Sequence, residues 1–353
     1  MDKMRKWYLL GILCFLATSV ISEIAEQSLT IWDFSGGLYD RIDKAYIPAN
    51  CSPDLQNVYI DKEQGVEKRT GYRRFNTTSL GSYPIRLLNW YTQNDGDEYL
   101  MAVSSKSLYY SIDDSSFTAL TGSVSIQENC WGLNFLDRFY IGNSDDTALY
   151  WDGSSIITST EIPKGDIAEI YGGRMWVAGI NDERTTLRYS NLNNPTAVWD
   201  TNGVSNIEYV GRDDGDIIIA LKQYNGNLII FKRFSIWKWS GIDPETSILI
   251  QVVEGIGCSD PASIQEYQGS LVFLSDNGLY AFNGNGVVRL SDKIENTLDL
   301  FPRSSVTTSS FTITTANDWN NGFLLIRVDT TTTSGSIIQY ANVGSTIEVL
   351  GPG

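Results

Sequence analysis

The feature that most limits how this chain can fold is a unit of about forty residues that returns along it, because a stacked repeat sets the architecture before any single element is assigned. Each unit holds a strand, a short polar turn, a second strand ending in aromatics, and then a run of Gly, Asn, Asp or Ser. Five copies are clear: YLMAVSSKSLYYSIDD from Tyr99, RFYIGNSDDTALYWDGSS from Arg138, RMWVAGINDERTTLRYSNLNN from Arg174, NLIIFKRFSIWKWSGID from Asn227 and SLVFLSDNGLYAFNGNG from Ser270. Their aliphatic anchors Leu108, Leu149, Leu187, Ile236 and Leu279 stand 41, 38, 49 and 43 residues apart. A sixth, weaker copy begins at Phe323 with FLLIRVDTTTTSGSIIQYANV.

Several units follow an inner strand and a glycine turn: IAEIYGG from Ile167, IIIALKQYNGN from Ile217 and IQEYQGS from Ile264. Three or four strands in roughly 40–50 residues is the size of a propeller blade. The sequence therefore predicts an all-β chain, a β-propeller of roughly five to six blades. A two-sheet sandwich also spaces its strands regularly, but return of the whole unit favours the propeller. Ahead of the repeats, LQNVYID from Leu55 and VEKRTGYRRF from Val66 read as strands that pair with the last blade and close the ring. Gly65 is expected to supply the positive φ of the hairpin between them. With no linker in view, residues 23–353 read as a single propeller domain. The chain stops at Leu350-Gly-Pro-Gly soon after the sixth copy, which leaves an incomplete last blade as one expectation.

Composition matters chiefly through what is missing. The 353 residues include no histidine. That removes Ser-His-Asp and Cys-His nucleophilic triads, His-ligated zinc and imidazole acid–base chemistry. Cys14, Cys51, Cys130 and Cys258 are scattered without C-x-x-C spacing, so a thiolate zinc site is excluded and small buried hydrophobes are expected. Residues 1–22 carry Lys3, Arg5 and Lys6 ahead of an apolar run and end in small residues, the pattern of a signal peptide cut after Ser22.

Two stretches resemble a known family. IWDFSGGLYDRIDKAYIPANCSPDLQNVYIDKEQGVEKRTGYRRF, from Ile31, has the Phe34-x-Gly36-Gly37 start, the Asp54-x-x-Asn57-x-x-x-Asp61 segment and the Gly65-x-x-Lys68-Arg69-x-Gly71-Tyr72 hairpin. GIGCSDPASIQEYQGSLVFLSDNGLYAFNGNGVVRLSDKIE, from Gly255, has a Gly-Cys, strand, Gly-Leu-Tyr, Ser-Asp-Lys-Ile order. In this the chain is similar to β-propeller virion proteins of tailed bacteriophages, of the tail-nozzle, packaged-DNA-stabilisation and head–tail connector type. With NGNLIIFKRFSIWKWSG from Asn225, the resemblance covers most of residues 31–295. It implies a non-enzymatic structural subunit of a homo-oligomeric ring that meets portal, adaptor and other tail proteins in the virion. Such a ring closes the head and channels DNA without reading its sequence. The resemblance implies no cofactor, no small-molecule substrate and no catalytic or metal-binding residue.

The residues themselves leave two other readings open. The signal-like amino terminus suits an exported propeller binding glycan or protein at a cell surface. Carboxylates suit a glycosidase, with Asp113-Asp114, Asp145-Asp146 and Asp213-Asp214-Gly215-Asp216 as candidates, although each sits where an acidic turn is the ordinary explanation. Calcium could be sought at Asn94-Asp95-Gly96-Asp97-Glu98 and at Asp213–Asp216, but neither completes a twelve-residue oxygen-ligand loop. Trp131, Trp151, Trp176, Trp199, Trp237 and Trp239 could stack on sugars, yet fall at repeat positions that blade packing explains. Lys68-Arg69 and Arg73-Arg74 form a basic island that either solvates a strand or meets an acidic partner. A net charge of −16 argues against general nucleic-acid binding and is compatible with a conduit whose wall repels phosphate.

Overall fold

The computed structural model describes residues 31, 33–71, 80, 85–104, 107–112, 116–120, 130–201 and 204–299, together with strand backbone at 307–312, 323–329, 336–342 and 346–351. The signal-like segment 1–22 lies outside the described residues. The chain divides into two compact units, Met1–Arg69 and Thr70–Gly353.

In the first unit, β1 (Gly37–Leu38) pairs parallel with β2 (Cys51–Ser52), and β3 (Val58–Ile60) pairs antiparallel with β4 (Val66–Lys68). The motif residues build these contacts. Gly36 lies against Cys51 and the Asn50 carbonyl, where any Cβ would overlap both, and Gly37 turns the chain at φ +69°. The Asp61 carboxylate closes the β3–β4 hairpin by accepting from the amides of Glu63 (2.9 Å) and Gly65 (2.7 Å). One expectation is corrected here: Gln64, at φ 71°, takes the left-handed turn position, while Gly65 sits close to the Asp61 carboxylate. With Asp61 accepting from both loop amides, the loop closes around the carboxylate and leaves the positive φ to Gln64.

The second unit contains five four-stranded antiparallel sheets among the described residues. The first is β5 (Leu87–Thr92), β6 (Glu98–Ser104), β7 (Ser107–Ser111) and β8 (Thr118–Ala119). The second is β9 (Trp131–Phe135), β10 (Arg138–Gly142), β11 (Leu149–Trp151) and β12 (Ile156–Thr158). The third uses β13 (Ile167–Tyr171), β14 (Arg174–Ala178) and β15 (Thr186–Tyr189). A small hairpin of β16 (Asp200–Thr201) and β17 (Val204–Ser205) precedes its outer strand β18 (Ile207–Tyr209). The fourth is β19 (Ile218–Tyr224), β20 (Asn227–Lys232), β21 (Ser235–Ser240) and β22 (Ile248–Glu254). The fifth is β23 (Gln265–Tyr267), β24 (Ser270–Ser275), β25 (Gly278–Phe282) and β26 (Val287–Arg289). Each sheet is laid down in chain order, as a propeller blade is, and all five repeat anchors fall in the third strand of their blade. The fold is a β-propeller.

Successive blades pack face to face, and this is where the aromatics go. Four apolar cores lie in the seams: Met101, Val103 and Leu108 meet Phe139 and Trp151 between blades one and two, and Tyr140 meets Met175 and Val177 between two and three. Leu187 and Trp176 meet Leu228, Ile230 and Trp239 between three and four, and Ile229, Phe231 and Ile236 meet Leu271, Phe273 and Phe282 between four and five. Rings meet edge-on or tilted across the seams between blades one and two (Tyr91 and Trp151, 5.5 Å), three and four (Trp176 and Trp239, 5.1 Å) and four and five (Phe231 and Phe273, 5.1 Å). Such pairs add about 0.5–1.5 kcal/mol to the burial itself.

After blade five a short helix α1 (Glu295–Asp299) leads to β27 (Thr307–Thr312), β28 (Phe323–Asp329), β29 (Ser336–Asn342) and β30 (Thr346–Gly351). The sixth repeat is recovered as the β28–β29 hairpin, while β27 pairs with β30 and so departs from the sequential order of the five blades.

Candidate functional site

The first strands of successive blades stand side by side, β5 next to β9, β9 next to β13 and β13 next to β19. The segments leading into them therefore gather at one end of the propeller. There Asp145, Asp166, Arg184, Ser259, Ile217 and Ile218 help line a cleft of about 370 Å³. Asp166 accepts from the Ser144 amide (3.1 Å) and stands 3.6 Å from the Arg184 guanidinium. Lys164 reaches across to the Asp145 carbonyl at 2.7 Å. The polar groups thus hold neighbouring blade connections together around an isoleucine floor.

Deeper on the same inner strands, Glu169 of β13 lies 3.8 Å from Lys222 of β19. Burial pushes the Glu169 carboxyl above its usual range, and the Lys222 ammonium opposes that rise.

The acidic clusters are structural turns. Asp213 sits at φ 65°, Asp214 binds Lys232, and Asp216 accepts from the Ile217 amide (2.9 Å) and the Ser235 hydroxyl (2.8 Å). In the Asp145–Asp146 turn, Asn143 Oδ1 accepts both amides and its Nδ2 donates to Asp146 at 3.1 Å. At Asn94–Glu98 the Asp97 amide bonds Asp95, Asp97 accepts from Tyr99, and Gly96 turns at φ +98°. Asp113 and Asp114 lie outside the described residues. Among the described residues no three His, Cys, Asp or Glu side chains are grouped to hold a metal ion.

The tryptophans pack blades. Trp131, Trp151, Trp176, Trp199 and Trp239 are buried, and Trp237 is partly buried against the seam between blades three and four. Trp131 donates its indole N–H to the Gly165 carbonyl, 34 residues on, whereas those of Trp176, Trp199 and Trp237 stay local, on the Tyr171 carbonyl, the Pro195 carbonyl and the Ser235 hydroxyl. Cys51, Cys130 and Cys258 are free thiols, with burial pushing Cys130 up to about 12 and Cys258 up to about 11. Of the basic island, Lys68 and Arg69 are exposed, and Arg73 and Arg74 lie outside the described residues.

The Gly-Cys motif has a plain geometric role. Gly257 passes so close to β20 that a Cβ would overlap the Lys232 carbonyl oxygen and lie 2.6 Å from the Arg233 carbonyl carbon. The next amide, of Cys258, donates to that Lys232 carbonyl at 2.9 Å. The motif clasps blade four as the chain leaves for blade five.

One set of residues was not singled out from the sequence. Tyr91, Tyr171 and Tyr224, each at or next to the end of a first strand, donate to main-chain carbonyls in the next blade's first turn. Tyr91 reaches Asp137 (2.9 Å), Tyr171 reaches Gly226 (3.0 Å) and Tyr224 reaches Gly269 (2.5 Å). The signal was the tyrosine before each turn in IAEIYGG and IIIALKQYNGN.

No family model matches the sequence, and no curated protein matches it. Among solved structures the chain is similar to the WD40 domain of Neurospora crassa Pan2, at 10% identity and a TM-score of 0.39, covering 59% of this chain and 65% of that one. It is also similar to virginiamycin B lyase from Staphylococcus aureus, at 11% identity and a TM-score of 0.39, covering 60% of this chain and 70% of that one. A third likeness is to the CNH domain of AfRom2, at 9% identity and a TM-score of 0.37, covering 79% of this chain and 87% of that one. At such distances the likenesses say nothing of activity, and the propeller rests on the sheets and seams above.

Proposed function

We propose that this chain is a non-enzymatic virion protein of a tailed bacteriophage, a propeller subunit of a homo-oligomeric tail-nozzle or head–tail connector ring through which DNA passes. The observation that carries the reading is the ordered pair of family-like segments, from Ile31 and from Gly255. Their motif residues Gly36, Gly37, Asp61, Gly257 and Cys258 hold backbone in place. Asp214 and Asp216, two of the carboxylates that a glycosidase could use, are engaged by Lys232 and by the Ile217 amide, which favours a structural role over hydrolysis. A net charge of −16 suits a wall that lets phosphate pass without adhering.

The second reading is an exported propeller that binds glycan or protein at a cell surface, and the signal-like residues 1–22 favour it. Mass spectrometry of purified virions, with light scattering of the isolated chain across salt concentrations, separates the two. Presence at ring stoichiometry is expected. Absence from virions together with tight binding to a host surface polysaccharide would establish the exported binder instead.

A further inference from the structure

The tyrosine contacts form a series with one member left over. Tyr267 ends β23 as Tyr171 ends β13 and Tyr224 ends β19. Yet Tyr267 is 64% exposed, and its hydroxyl accepts only a bond from the adjacent Gln268 (3.2 Å). The sheet behind it repeats the pattern. Ile229, Phe231 and Ile236 of blade four are fully buried under blade five. Their counterparts in blade five, Val272, Leu274 and Leu279, are only half-buried. An apolar blade face with an unengaged latch is a surface built to be covered.

We propose that this face seats a further blade, and that its occupant is the β28–β29 hairpin of the same chain. Tyr267 then engages the arriving blade as Tyr171 and Tyr224 engage theirs. Each of the four seams is filled by the next segment of the sequence, and the segment after blade five comprises α1 and the strands β27 to β30. At the seam between blades four and five the second and third strands of the arriving blade supply most of its apolar groups, Leu271, Phe273, Tyr280 and Phe282. Leu271 and Phe273 are the second and fourth residues of β24; Leu324 and Ile326 hold those positions in β28, which is joined to β29 by seven paired residues. The inference concerns how the propeller closes and stands apart from the phage reading.

The test replaces Tyr267 in the full chain with a benzophenone-bearing phenylalanine and maps its photo-crosslinks by mass spectrometry. Crosslinks at monomer mass to residues 313–329 are expected. Crosslinks to residues 31–69, a crosslinked dimer, or no crosslink would overturn the proposal. A second measurement compares Tyr267→Phe with Tyr224→Phe, two changes that keep the ring and remove only the hydroxyl. Both are expected to lower the unfolding midpoint by similar shifts. A silent Tyr267→Phe beside a destabilising Tyr224→Phe would show that the latch is not made.

Discussion

The fully buried ammonium of Lys232 is held by Asp214, with its nitrogen 2.7 and 2.6 Å from the two carboxylate oxygens and 3.0 Å from the Val210 carbonyl. The pair is asymmetric: the lysine side chain has no exposure, whereas the aspartate side chain is 33% exposed. Removing the aspartate strands a buried charge, and removing the lysine leaves a carboxylate that water can reach. Asp214→Ala is therefore expected to lower unfolding free energy by about 3–5 kcal/mol and Lys232→Met by less. Urea unfolding of both variants checks the order.

Glu169 gives a pH signature. Its carboxyl is raised above the ordinary value of 4.5, so the folded state holds the proton more tightly than the unfolded chain. Its contribution is thus present in full below the unfolded value and is lost as pH rises through the folded one. Glu169→Gln keeps an acceptor for the Ile170 amide and removes the ionisation. The variant should match the parent chain at low pH and exceed it in thermal midpoint at neutral pH. Melting curves across that range decide it; a variant less stable at neutral pH would mean that the Lys222 pairing outweighs desolvation.

Tyr171 donates to both the Gly226 and the Gly241 carbonyls, at 3.0 and 2.9 Å. Tyr171→Phe should cost about 1 kcal/mol, the net worth of a typical intramolecular hydrogen bond. The loss should appear locally as faster amide exchange in the Asn225–Gly226 turn of blade four.

Gly257 and Gly255 separate steric from dihedral effects. Gly257 has an ordinary φ but no room, while Gly255 turns at φ +78° with open space around it. Gly257→Ala should cost about 3 kcal/mol through overpacking against backbone that cannot yield. Gly255→Ala should cost about 1–2 kcal/mol through the left-handed conformation alone. Equal losses in chemical denaturation would contradict the clasp.

Much of the blade architecture was legible because it is periodic and local. The anchors Leu108, Leu187 and Ile236 repeat in sequence, and all three are fully buried in seams. The turn Ser275-Asp276-Asn277-Gly278 was readable from residue types, and it joins β24 to β25. What escaped was pairing across seams: Tyr224 stands before a recognisable turn, but its acceptor on Gly269 lies 45 residues away. The Lys232–Asp214 pair was hidden as well, because Asp214, 18 residues before its partner, reads locally as one more acidic turn residue. Gln64 rather than Gly65 takes the positive φ because Asp61 closes the loop around itself.

That each seam joins only neighbours in the sequence has a kinetic consequence. A blade leaving the ribosome finds its partner already made, so the propeller can grow in the order of synthesis, at small loop-closure cost per step. Blade five presents its apolar face from the moment it forms until something covers it. In that interval the half-built molecule carries a sticky end, and the time until it is covered governs whether it matures or aggregates.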